Sequence, residues 1–218
     1  MGKLFLAFAV GLLATSSAQA QSTLALVDKA ELGQLKANCR WLVASLDRLK
    51  MPLPDETRAT LEKLVSQGAD NADTLVAIQE VLDPLCIVGV SINPESRVKA
   101  ARGPSAAELL AGAPRVYLIK VHNEAGVTEA LRLTGPHLAE SKDSRDKVRW
   151  LQALTYRSYP KGTGEKLSGN GVEYLMLVCT AHEPGKREAK LIFDVGQGTQ
   201  DLGFRAEVPI LFSIKPKQ

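Results

Sequence analysis

The chain is short of the residues that enzyme sites draw on most. Among 218 residues it has three histidines and three cysteines, and Trp, Tyr and Phe together make up 5%. A hydrolytic or metal-dependent site calls on histidine first, and His122, His137 and His182 share no metal-ligand spacing. His182-Glu183 opens like the H-E-x-x-H motif but fails, because Lys186 stands where the second histidine belongs. All three histidines are read as solvated residues of turns and loops. A G-x-S-x-G nucleophile elbow is also lacking. Charge of one sign is scarce too. The formal net charge is +3, and no cluster of Lys and Arg interleaves with aromatics, so nucleic acid is not an expected partner. No stretch has the roughly 20 apolar residues that cross a bilayer, so no membrane span is expected in the mature chain.

The one marked apolar run, Leu4 to Leu13, follows Lys3 and leads through Thr15, Ser16 and Ser17 to Ala18-Gln19-Ala20. A basic start, a short apolar centre and a small-x-small end make a secretory signal, with cleavage expected before Gln21. No cysteine follows for a lipid anchor. The expectation is a signal peptide over 1–20 and a soluble protein that is secreted or periplasmic. What remains suffices for one ordinary domain or a domain with an appendage.

In an oxidising compartment the cysteines acquire meaning. Cys39 lies on the apolar face of a helical stretch and Cys86 just after the last of the helices, while Cys179 sits in the apolar run Tyr174 to Cys179. A Cys39–Cys86 disulfide with Cys179 buried and free is the first expectation, against the alternative of three free thiols, because sequence does not settle connectivity.

Residues 21–84 read as a small helical unit. Leu32, Leu35, Cys39, Leu42, Leu46 and Leu49 advance by threes and fours, and Pro52 and Pro54 bound that helix. A second helix begins at Asp55 and stops at Gly68. A third runs from an Asp73 N-cap through Leu82 to Pro84.

After Pro84 the period becomes two. Cys86–Ile92 and Ser96–Ala101 read as strands, and Ser105 to Leu110 as a capped helical turn. Arg115–Gly126 is the expected central strand with its turn, and Thr128–Leu133 its partner. Trp150–Tyr156 returns to strand character, and 137–147 is polar enough to be an exposed loop. Glu173–Ala181 and Glu188–Val195 flank Glu183-Pro184-Gly185-Lys186, read as a hairpin. In the final strand, Phe204–Ile214, Pro209 demands an edge or a bulge. The expected class is α+β: the helical unit followed, over 85–218, by an antiparallel immunoglobulin-like β-sandwich.

Two loops were candidates for ion chemistry. Lys161-Gly-Thr-Gly-Glu-Lys166 fails the phosphate-loop spacing. Asp194-Val-Gly-Gln-Gly-Thr-Gln-Asp201 brings two carboxylates, Asp194 and Asp201, into one loop as a calcium candidate, outside any EF-hand register. No catalytic residue and no cofactor are expected.

At Leu82 to Pro104, Lys120 to Val127 and Gly196 to Phe204 the chain resembles the N-terminal region of secreted bacterial PHP-superfamily metallohydrolases of the carbaryl hydrolase-like kind. The resemblance implies a helical segment and β-sandwich that precede a catalytic domain. The metal-binding residues of such an enzyme would lie beyond Gln218, so none is carried over. The leading expectation is an exported non-enzymatic binding or scaffolding module, its partner an envelope protein or polysaccharide. The alternative is an accessory part of a secreted metallohydrolase. A calcium-dependent adhesion module is the third.

Overall fold

A computed structural model describes residues 23–139, 147–157, 166–196 and 204–217. Three helices come first: α1 (Leu32–Arg48), α2 (Asp55–Gln67) and α3 (Ala72–Leu82), followed by a 3-10 turn at Asp83–Leu85. The strands are β1 (Cys86–Ile92), β2 (Val98–Arg102), β3 (Glu108–Leu110), β4 (Arg115–Asn123), β5 (Arg132–Thr134), β6 (Leu151–Tyr156), β7 (Val172–Ala181), β8 (Gly185–Asp194) and β9 (Arg205–Lys215). The class is α+β, as the change of period indicates.

The helices follow their local chemistry. In α1 the stripe Leu32, Leu35, Cys39, Leu42 and Leu46 is buried. The helix stops at Arg48, before the prolines, because Lys50 takes φ 60° and the Met51 N–H turns back to the Leu46 carbonyl. Pro54 precedes α2, whose first turn carries Asp55 and Glu56 at the positive end of the helix dipole. The cap of α3 is Asn71, two residues before the expected Asp73, and its side chain accepts from the Thr74 N–H.

Two sheets form, with orders β2-β1-β4-β7-β6 and β3-β9-β8-β5. Arg115–Asn123 is the middle strand of the five, between β1 and β7. The sheets are mixed, which corrects the antiparallel expectation: β1 runs parallel to β4, and β3 parallel to β9. Both parallel pairs join strands distant in sequence, where turn chemistry gives no guide to direction.

Three local readings change with it. Arg132–Thr134 pairs with β8 in the other sheet, so the segment after Gly126 is not the partner of β4. The turn at Glu183–Lys186 is not a hairpin but a crossing between sheets, since β7 pairs with β4 and β6 while β8 pairs with β9 and β5. The reason lies in burial: β7 is covered on both faces, whereas the first half of β8 has one solvated face. Glu108–Leu110 is a strand and not a helical turn. Leu109 points inward between two more exposed neighbours, the period of an extended chain. Pro209 stands where expected of it: β9 pairs with β8 from Arg205 to Ile214, but on its other side only Ser213 to Lys215 have strand partners.

Two buried clusters hold three layers together. One lies between the sheets, where Phe212 of β9 meets the edges of Tyr117 and Trp150, with Ile119, Leu177 and Phe193 around it. The other lies between the helices and the outer face of the five-stranded sheet, joining Leu35, Leu42, Leu61 and Ile78 to Leu118, Val172, Tyr174 and Met176. The helical unit is therefore a third layer that shares a core with the sheet. Residues 24–31, a strap without regular secondary structure, close one side of this second cluster through Val27.

Candidate functional site

The densest chemistry among the described residues sits where the helical layer meets the sheet. Strand β4 alternates, and its helix-facing positions include Leu118 and Lys120; β7 sends Tyr174 to the same face. The 3-10 turn after α3 brings Asp83 above them. Lys120 Nζ donates to Asp83 Oδ2 at 2.7 Å and to the carbonyl of Ala25 at 2.9 Å. Tyr174 Oη donates to Asp83 Oδ1 at 2.7 Å. All three are buried, and Tyr174 has no exposed surface.

Burial sets the electrostatics of the cluster. It pushes the Asp83 carboxyl up, against the hydrogen bonds of Lys120 and Tyr174 that favour its charged form. The Tyr174 phenol stands well above its ordinary range, first through burial and then through the neighbouring Asp83 charge. Cys86, whose Sγ donates to the Leu82 carbonyl at 3.6 Å, is likewise raised well above the thiol range by burial and by Asp83. A thiol so placed stays protonated at neutral pH, the opposite of an activated nucleophile. These groups face one another and seal a joint.

Two more buried polar groups are fully paired, the first across this joint and the second on the opposite face of β7. Asn38 on α1 accepts from the Tyr174 N–H at 2.8 Å and donates to its carbonyl at 3.0 Å. Glu173, nearly inaccessible, accepts from the Ser168 N–H and hydroxyl, each at 2.8 Å, and from Arg157 Nε at 3.0 Å. No described buried side-chain nitrogen or oxygen lacks a partner.

The accessible counterpart of the joint is a cleft of about 310 Å³ at the end of α1, where Met51, Pro52 and Pro54 face Pro114, Arg115 and Val116. Arg115 lies over the Tyr117 ring at 5.2 Å from its centroid. Leu46 and Leu118 extend the cleft toward the interlayer core.

The residues singled out in the sequence are dispersed. His122 faces Glu124, 3.6 Å from Nε2 to Oε1, at the far end of β4. His137 Nδ1 accepts from the Lys190 N–H at 3.2 Å, and His182 is exposed beside the crossing turn. Asp194 Oδ1 accepts from the Gly196 N–H at 3.0 Å. Asp201 lies outside the described residues, as does the 161–165 loop. No group of three or more His, Cys, Asp or Glu among the described residues could hold a metal ion.

The Cys39–Cys86 disulfide is not formed. All three cysteines are free and buried. Cys39 lies on the side of α1 that borders α2, beside Leu61 and Val65, whereas Cys86 turns to Leu82 at the start of β1. The sequence reading missed Asp83, Lys120 and Tyr174. The available signal was Lys120 itself, a lone charge among the apolar residues Val116 to Val121.

No family model matches the chain, and no curated protein matches it. Several solved structures resemble part of it, and two of them are described. Domains 4 and 5 of the S-layer protein SbsC match at TM-score 0.30 and 10% identity, over 50% of this chain and 47% of that one. PbICP-C in complex with falcipain-2 matches at TM-score 0.29 and 10% identity, over 50% of this chain and 84% of that one. The chain thus spans about half the length of the S-layer structure it matches. Likeness at this level carries no argument about role. No described helix is long and apolar enough to cross a membrane.

Proposed function

We propose that the chain is an exported binding or scaffolding module of the cell envelope, built on a sandwich of immunoglobulin-like kind and braced by its helical layer. The observation that carries this reading is the orientation of Asp83, Lys120 and Tyr174, which bond to one another inside the joint and present no reactive atom to solvent. A body braced in this way keeps its outer surfaces in fixed register, which is what a scaffold requires. The leader-like residues 1–20 supply the route out of the cell.

The test has two parts. Expressed with its leader, the chain is recovered from the envelope fraction with Gln21 at its N-terminus. A photoreactive residue at Arg115, in the cleft, then cross-links one envelope protein, or the purified chain retains one envelope polysaccharide. A chain that keeps its leader in the cytoplasm, or that retains and cross-links nothing, overturns the proposal.

A further inference from the structure

The cleft at the end of α1 stands open in the folded chain, so a ligand enters it without displacing any packed segment. Its volume of about 310 Å³ lies at the lower end of the range for small-molecule pockets. Met51, Pro52 and Pro54 form one wall and Pro114 stands on the other. Proline has almost no side-chain freedom to lose when a ligand arrives, and Leu53, between two of these rings, is buried and fixes their backbone. The walls are therefore apolar and already in place.

Three polar features converge on this lining. Arg115 supplies its one charge, and no carboxylate lines the cleft to neutralise it. The guanidinium lies over the Tyr117 ring, and among the described residues none of its N–H donors is taken by a hydrogen bond or an ion pair. Ser105 is fixed by its backbone, its N–H donating to the Cys86 carbonyl at 3.0 Å and its own carbonyl accepting from Arg102, which leaves the hydroxyl to face the cleft region without a described partner. The third feature is an open edge of β4. That strand pairs with β7 from Arg115 onward, but β1 joins its other side only at Leu118. Arg115 to Tyr117 thus have one edge without a strand partner, and since successive residues turn their backbone groups to alternate sides, at least one N–H and C=O faces that way.

We propose that the cleft is a binding site for a small organic carboxylate, a molecule of about a dozen non-hydrogen atoms with one carboxylate on a compact apolar body. The occupant follows from charge and lining together. A planar guanidinium with free donors takes both oxygens of a carboxylate in parallel, and the Ser105 hydroxyl and the β4 edge add donors beside it. The apolar body lies against Met51 and the prolines. A cation would meet Arg115 with no acid to offset it, a sugar would bury hydroxyls against walls that offer them almost no partners, and an inorganic anion would leave those walls unused. The inference does not depend on the proposed envelope role.

Phenylbutyrate and hexanoate are the probes, titrated into the isotope-labelled mature chain and followed by two-dimensional NMR, with phenylbutanol as the uncharged match. Saturable shifts are expected at the amides of Ser105, Val116 and Tyr117, with a dissociation constant for phenylbutyrate below about 1 mM and binding of phenylbutanol at least about ten-fold weaker. Arg115→Gln should weaken phenylbutyrate by about ten-fold or more, and Arg115→Lys should fall between, because it keeps the charge and loses the fork. Circular dichroism verifies folding of both variants. The proposal is overturned if neither acid saturates, if the shifts fall away from the cleft, if the alcohol binds as well as the acid, or if folded Arg115→Gln binds the acid like wild type. Should a variant fail to fold, the comparison of acid with alcohol on the wild-type chain decides alone.

Discussion

Lys120 of β4 meets Asp83 of the 3-10 turn at 2.7 Å, and this contact spans the boundary between the sheet and the helical layer. Neither residue has more than a sliver of exposed surface, and each has a further partner: Ala25 for the ammonium, Tyr174 for the carboxylate. One ion pair thus ties together the strap, the end of the helices and two central strands. An apolar joint would have had no preferred register.

Lys120→Met should therefore be strongly destabilising. Taking away one member of a buried pair strands the other charge, and the loss runs to roughly 3–5 kcal/mol. Urea unfolding of wild type and variant reads it. Pairing Lys120→Met with Asp83→Leu should lose less than the sum of the two single changes, and additive losses would count against a coupled pair.

The same carboxylate sets a pH dependence. Burial raises the Asp83 pKa in the folded chain above its unfolded value. A group shifted that way binds its proton more readily when folded. Its contribution is fully present below the unfolded pKa and is lost as pH rises through the folded value. Wild type should thus lose stability relative to Asp83→Asn as pH climbs from about 3 toward 7. Paired urea midpoints measured across that interval supply the slope. A difference that grows in favour of wild type with rising pH would mean that Lys120 outweighs burial.

The thiols give a simpler measurement. Burial pushes Cys39 up to about 12, and it raises Cys86 and Cys179 as well. Protonated and shielded, all three should resist a thiol reagent in the native chain and react together on unfolding. Mass spectrometry without reductant should find no disulfide. A Cys39–Cys86 crosslink would show that the helical layer sits differently on the sheet.

How far the sequence was legible depended on the range of the forces involved. Pro54 and Gly68 bracket α2 because capping and helix breaking act within a turn. Arg115–Asn123 was recognisable as a central strand because apolar residues on both its faces require cover on both. The turn at Glu183–Lys186 misled for the same reason of range. Pro184 and Gly185 say that the chain reverses, but only the packing of β7 under the helices decides that β8 must join the other sheet. Lys120 was legible as an oddity and illegible as a contact. Its partner Asp83 lies 37 residues away in sequence and its other partner, Ala25, 95.

Asn38 offers the sharpest separate test of the joint. Strand β6 ends at Tyr156, opposite Met176, so β7 continues to Tyr174 without that neighbour. The Asn38 amide takes the neighbour's place, accepting from the Tyr174 N–H and donating to its carbonyl, as a strand backbone would. Asn38→Leu keeps a similar volume and removes both bonds, leaving two backbone groups buried without partners at about 1–3 kcal/mol each. The expected loss is therefore larger than for a typical surface change. Hydrogen exchange at the Tyr174 amide should accelerate beyond what the global loss of stability explains, because the opening becomes local. Asn38→Asp should fall between, since it keeps the acceptor and loses the donor. If Asn38→Leu were as stable as wild type with Tyr174 still protected, the amide would be an ornament of the joint, and α1 would be held to the sheet by apolar contact alone.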